Sequence, residues 1–317
     1  MTISVCMIVK NEEKNLAGCL DCLKVIADEI VIVDTGSTDK TKEIAGQYTD
    51  KVYDFVWTDD FSAARNFAFS KATMDYIYSA DADERLDEEN QAKFLQLKEM
   101  LLPEIEIVQM YYCNQLENNT IYSFDKEYRP KLYKRLREFV WRERIHEAVT
   151  LSPIVYDSDI EIIHKPHGNH GGRDLRIFAK MAADGEPISK RLREIYAKEL
   201  FIAGQESDFK QAETFFKAWV EEAADEDELK QAACVLARYY RTKGDVAKFF
   251  KYALKVTALG GCSEMCCEIG QFYYEREDFE EAAMWFYNAA NETQALLSLA
   301  YAQEIPQKYL KEIESRA

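Results

Sequence analysis

Chain breakers are scarce in this sequence, with 6 Pro and 12 Gly among 317 residues. That excludes a collagen-like or linker-rich chain and leaves room for long helices. No apolar run approaches the roughly 18 residues that a membrane-spanning helix needs. The first apolar segment, Met1 to Val9, follows no basic stretch and precedes no small-residue cleavage site. No secretory leader is therefore read, and the chain is expected in the cytoplasm. Positive charge is in deficit: 40 Lys and Arg face 57 Asp and Glu, a net −17. Without a clustered basic footprint, nucleic acid is not expected as a general partner. The balance suits a soluble protein that holds a divalent cation, although solvated helix faces account for most of the excess. Regular cysteine spacing is missing too. Cys19 with Cys22, and Cys262 with Cys266 and Cys267, lack a matching second pair, so the 8 Cys read as reduced buried thiols, several of them inside helical patterns.

What is present is ordinary globular material, 47% hydrophobic and 13% aromatic, in a chain long enough for two domains. Strand and helix patterns alternate first, as in an open parallel sheet. Ile3 to Val9 is a β-branched run, and Leu16, Leu20 and Leu23 share one helical face. Glu29 to Val33 is a second strand, ending at Asp34, and Ser37 or Thr38 is expected to cap the helix that runs through Ile44. Lys51 to Val56 reads as a strand, Phe61 to Ala72 as a helix and Tyr76 to Ser79 as a strand. Further strands are expected at Ile105 to Asn114, Thr120 to Phe124, Arg129 to Tyr133 and Asp159 to Ile163. His164 to Gly172 has no periodicity and reads as a loop between a domain at 1–172 and an all-α domain at 173–317.

The second domain carries a weak repeat. Asp208-Phe209, Asp245-Val246 and Asp278-Phe279 each open a helix, and they lie 37 and then 33 residues apart. That is near the ~34-residue period of tetratricopeptide helix pairs. An unrelated helical bundle is the plainer alternative.

Chemistry is concentrated at Asp81-Ala82-Asp83, where an apolar strand ends. Ligands of open α/β sheets collect outside such strand ends, and two acids one residue apart can share a hard cation and the phosphates it bridges. Alone, the pair reads as a solvent-facing loop. Its company changes that: Val5-Cys6-Met7-Ile8-Val9-Lys10-Asn11-Glu12, Val31-Ile32-Val33-Asp34-Thr35-Gly36-Ser37-Thr38-Asp39, Ala64-Arg65-Asn66 and Asp81-Ala82-Asp83-Glu84 follow in order. Together they resemble the amino-terminal half of family 2 glycosyltransferases of the GT-A fold, tightly over residues 1–100 and loosely over 100–172.

The resemblance implies a Rossmann-like, mixed-sheet domain followed by tetratricopeptide-like helices. It also implies a UDP-sugar donor and Mn²⁺ or Mg²⁺. Val9, Glu12 and Asp34 are expected against the uracil and ribose, and Thr35 stands where the family commonly has a second acid. Arg65 is expected to face the nucleotide, its plainer reading being a surface arginine. Asp81 is expected near ribose and metal, with Asp83 the direct ligand. Trp141-Arg142-Glu143-Arg144-Ile145-His146-Glu147 resembles an acceptor-facing segment of repeat-bearing members, which makes Glu147 the expected general base and His146 the next choice. An exposed turn acid is the alternative for Glu147. Family members often close the metal site with a histidine after the last strand. His164 is the expected one and His167 the next, while a zinc site or a plain polar loop would be other readings of these residues. The acceptors of repeat-carrying bacterial members include peptide and protein side chains, and the helical repeats are a further candidate for contacts between copies of the chain. A sugar-1-phosphate nucleotidyltransferase would need a glycine-rich loop where Lys10-Asn11-Glu12-Glu13 stands. A repeat-based binding protein with an inactive sheet domain is the non-enzymatic alternative, against which Asp81-Ala82-Asp83 counts.

Overall fold

A computed structural model describes residues 1–114, 126–149, 153–165 and 171–316. The chain divides into two compact units, Met1–Asn169 and His170–Ala317.

The first unit opens with β1 (Ile3–Val9), α1 (Leu16–Leu23), β2 (Glu29–Asp34), α2 (Thr41–Ala45), β3 (Val52–Asp54), α3 (Phe61–Lys71) and β4 (Tyr76–Ala80). It continues through β5 (Glu84–Arg85), α4 (Glu88–Met100), β6 (Ile107–Asn114), β7 (Lys126–Lys134), β8 (Trp141–Arg142), β9 (Ala148–Val149) and β10 (Val155–His164). Eight strands form one sheet in the order β3-β2-β1-β4-β7-β6-β10-β5. The first four in that row are parallel, β7 runs against both β4 and β6, and β10 runs parallel to β6. A buried parallel strand reads as continuous apolar sequence because both faces are covered. In β1, Ile3, Val5, Met7 and Val9 pack on one side with Leu16, Leu20, Leu23 and Phe94. Cys6 packs on the other with Val31, Val33 and Ala68.

Several local expectations are corrected. Ser37 and Thr38 do not cap α2: Asp39 Oδ1, on the residue after them, accepts the Thr41 N–H at 3.0 Å. His164 ends β10 rather than opening a loop, and Gly171 and Gly172 begin a helix. The strand expected at 120–124 lies outside the described residues, as do His167 and His170.

The second unit is helical: α5 (Gly171–Ala183), α6 (Lys190–Ala203), α7 (Glu206–Glu222), α8 (Glu226–Thr242), α9 (Val246–Thr257), α10 (Ser263–Tyr274), α11 (Phe279–Asn291) and α12 (Glu304–Glu314). Two of the three repeat aspartates are N-caps: Asp245 accepts from Lys248 N at 3.1 Å, and Asp278 from Glu281 N at 3.3 Å. Asp208 differs. It sits inside the first turn of α7, closing a capping box with Gln205, so the first copy is out of phase with the others. Buried Glu268 on α10 accepts from Arg238 at 2.7 Å and Arg241 at 2.8 Å, both on α8, which satisfies a charge the core could not otherwise hold.

Candidate active site

The site is built where the parallel strands end. Val9 pairs with Asp34 across β1 and β2, and Met7 with Ala80 across β1 and β4, so three strand ends lie side by side. Past β2 the chain must turn sharply. Asp34 Oδ2 accepts the Gly36 and Ser37 N–H groups, both at 3.0 Å, and Gly36 takes φ +99°, a region open to glycine. The other oxygen, Asp34 Oδ1, is buried with no hydrogen-bond partner among the described residues. An unsatisfied buried carboxylate oxygen is costly, and it offers an acceptor to a ligand's N–H or O–H. Thr35 turns away from this opening: its N–H and Oγ1 both donate to Val9 O, at 2.9 and 3.0 Å. Glu12 is half-buried, with its N–H bonded to Thr41 Oγ1 at 2.7 Å and its carboxylate accepting from Asn15 at 2.9 Å.

Next to these residues lies the acid turn. Asp83 Oδ2 is 3.1 Å from His164 Nε2, while Asp83 Oδ1 is buried and unpartnered among the described residues. The backbone enforces that meeting. β5 pairs antiparallel with β10, placing Glu84 opposite His164, and Lys165 N donates to Asp83 O at 2.8 Å. Asp81 Oδ1 accepts from Arg65 Nη2 at 3.0 Å, and its Oδ2 is 4.0 Å from Lys131 Nζ. Desolvation works to raise the Asp81 carboxyl, but the charges of Arg65 and then Lys131 hold it well below the usual carboxylate range.

Arg65 joins the acid turn to the segment at 141–147. Besides Asp81 it donates to Ser79 Oγ at 2.9 Å, it is ion-paired through Nε with Glu147, and its guanidinium lies 5.2 Å from the Trp141 ring. Glu147 is thus neither solvent-facing nor alone; its side chain is 11% exposed. Helix α3 carries Arg65 to this position, and Asn66 fixes the far wall by bonding Trp141 N and O at 2.9 and 3.0 Å. Phe61 N donates to Arg144 O at 2.8 Å, tying the start of α3 to the turn at 143–147. That turn is strained: Glu143 and His146 have φ of +73° and +48°. The structure therefore gathers Arg65, Asp81, Asp83, His164 and Glu147 around one strand end, with Val9, Glu12 and Asp34 in the adjoining turn. His146 stands in the same turn as Glu147, and His167 lies outside the described residues.

Sequence reasoning missed Lys131 and Ser79, and it gave no role to Glu84 and Asn66 within the motifs that hold them. No local signal marks Lys131, which stands among other cations in Arg129-Pro130-Lys131-Leu132-Tyr133-Lys134-Arg135.

Residues 4–154 match the family described as "Glycosyl transferase family 2". This segment is a family 2 glycosyltransferase domain. The chain is 36% identical over 102 residues to the SPbeta prophage-derived glycosyltransferase SunS of Bacillus subtilis, covering 32% of this chain and 24% of that protein. It is 48% identical over 84 residues to a TPR repeat-containing protein of Synechococcus elongatus, covering 26% and 21%. The chain thus spans only about a quarter of the length of these curated relatives. Among solved structures, glucosyl-3-phosphoglycerate synthase from Mycobacterium tuberculosis, in complex with Mn²⁺ and UDP-glucose, is 14% identical, with a TM-score of 0.42 over 59% of this chain and 80% of that one.

In the glycosyltransferase domain the residues at the acid turn fit a divalent cation. Asp83 offers an orphaned buried oxygen, and His164 adds an imidazole nitrogen, a donor set that suits Mn²⁺ better than an all-oxygen ion. The carboxylates of Asp81, Asp83 and Glu147 outnumber the cations on Arg65 and Lys131, while burial pushes the Glu84 carboxyl up to about 7. The remaining negative charge favours a bound cation. Among the described residues no helix is long and apolar enough to cross a membrane.

Proposed function

We propose that the chain is a metal-dependent, inverting glycosyltransferase that moves a sugar from a UDP-sugar to a peptide or protein side chain. One observation carries the reading: in a family 2 glycosyltransferase domain, Asp81, Asp83, His164, Arg65 and Glu147 converge outside the ends of β1 and β4, where ligands of α/β sheets bind. Val9, Glu12 and the unsatisfied oxygen of Asp34 receive the nucleoside. Asp83, Asp81 and His164, with His167 as a further candidate, hold Mn²⁺ or Mg²⁺, which supplies charge stabilisation for the leaving diphosphate. The acceptor's oxygen or sulfur forms a bond to the anomeric carbon as the bond to UDP breaks, and Glu147 takes the acceptor's proton. Arg65 fixes the direction of that carboxylate. His146, in the same turn, is the next candidate for the proton.

The peptide or protein acceptor rests on the likeness of the Ile145-His146-Glu147 segment to repeat-bearing members and on the helical second unit. Residues 1–172 supply donor and metal, and 173–317 supply acceptor surface or contacts with a second copy in the cytoplasm. The test is UDP release across a panel of UDP-sugars with Mn²⁺. One donor should be turned over, and chelation should stop it. No release with any sugar, together with no UDP binding, refutes the reading.

A further inference from the structure

A β-bulge points one buried lysine at the acid turn. Along the β6–β7 ladder, Val108 pairs with Leu132 and Gln109 with Pro130, so Lys131 is an extra residue without a partner in the register. Bulges re-aim a side chain, and they gather next to functional sites. Here strict alternation fails: Lys131, Leu132 and Tyr133 are all buried, and Lys131 is only 5% exposed. Its ammonium meets Glu84 Oε1 at 2.6 Å and lies 4.0 Å from Asp81 Oδ2, with the Tyr78 and Tyr112 ring centres at 5.5 and 5.8 Å. Glu84 is buried in turn, and it faces His164 across the β5–β10 pair. A charge this deep is kept only with a partner, so the two hold each other.

We propose that Lys131, through Glu84, is a positioning residue for the cation–diphosphate part of the donor site. This rests on the glycosyltransferase reading above. The pair anchors the end of the turn Asp81–Glu84, and thereby sets where Asp81 and Asp83 present their oxygens. It lies outside the turn that receives the nucleoside. The device is therefore specific to the charged half of the donor, and partners behind metal ligands typically govern roughly 10–100-fold in metal affinity.

The experiment is calorimetry on the full chain with two probes: UDP in Mn²⁺, and uridine, which has no phosphate. Lys131→Met should weaken UDP·Mn²⁺ binding by roughly 10–100-fold and leave uridine binding unchanged. Should the single variant fail to fold, Lys131→Met with Glu84→Gln removes both charges together, which buried pairs tolerate far better, and the same selective loss is expected. Full UDP·Mn²⁺ affinity in either variant overturns the inference, as does a parallel loss of uridine. If the wild-type chain itself shows no Mn²⁺-dependent UDP binding, the glycosyltransferase reading fails first.

Discussion

Replacing Glu29 by Gln should destabilise the first unit in a way that depends on pH. The carboxylate sits at the start of β2, where it accepts from Ser4 on β1, from Lys51 ahead of β3, and from Thr73 N and Oγ1 at 2.8 and 2.9 Å ahead of β4. Desolvation raises its proton affinity. Lys51, Ser4 and Thr73 outweigh that and bring the carboxyl from its ordinary 4.5 down to about 2. At about 1.4 kcal/mol per pH unit this favours the fold by about 3 kcal/mol, trimmed to roughly 2–3 kcal/mol because Lys51 is 41% exposed and screened. The pKa is lowered by folding, so the contribution is complete above 4.5 and is lost as the pH falls toward 2. Denaturant unfolding of both proteins should show that gap, about 2–3 kcal/mol, at pH 7, narrowing on acidification below 4.5. A gap under about 0.5 kcal/mol at pH 7, or one that widens in acid, would refute the reasoning.

Asp83→Asn should abolish Mn²⁺-dependent UDP binding with little change in unfolding midpoint; unchanged affinity by calorimetry would sink its role as a ligand. Glu147→Gln should keep UDP affinity while transfer falls roughly 10²–10⁴-fold, and near-normal turnover would move the base to His146 or another acid. Gly270→Ala should destabilise the helical unit by roughly 1–3 kcal/mol, since the added carbon would lie 2.9 Å from the buried Phe286 ring. Thermal unfolding of that variant at or above the wild-type midpoint would show that the ring can give way.

The parallel half of the sheet was legible because its strands are buried on both faces: Val5 to Val9, Val31 to Val33 and Tyr76 to Ala80 read as unbroken runs. The acid turn was legible because it follows such a run. α4 was not, as it buries only Asn90 and Phe94 and so shows no stripe. Nor was the Arg65–Glu147 pair, whose partners stand 82 residues apart with no local rule to join them. Lys131 escaped because a bulge cannot be seen in alternation. The cap of α2 was misplaced because Ser37 is a good capping residue in the wrong turn, already used by Asn11 N at 2.9 Å.

The short pairing of β5 with β10 has a consequence for where this domain can be cut. The match to the family has its border at residue 154, ahead of every residue of β10. A fragment trimmed to that border would leave β6 with an open edge facing solvent, an invitation to sheet-to-sheet association. It would also free the carbonyl of Asp83 and remove the imidazole beside its carboxylate. A fragment that keeps these contacts reaches at least to Lys165. The matched segment and the folded sheet end at different residues, and the last strand brings the imidazole that stands beside Asp83.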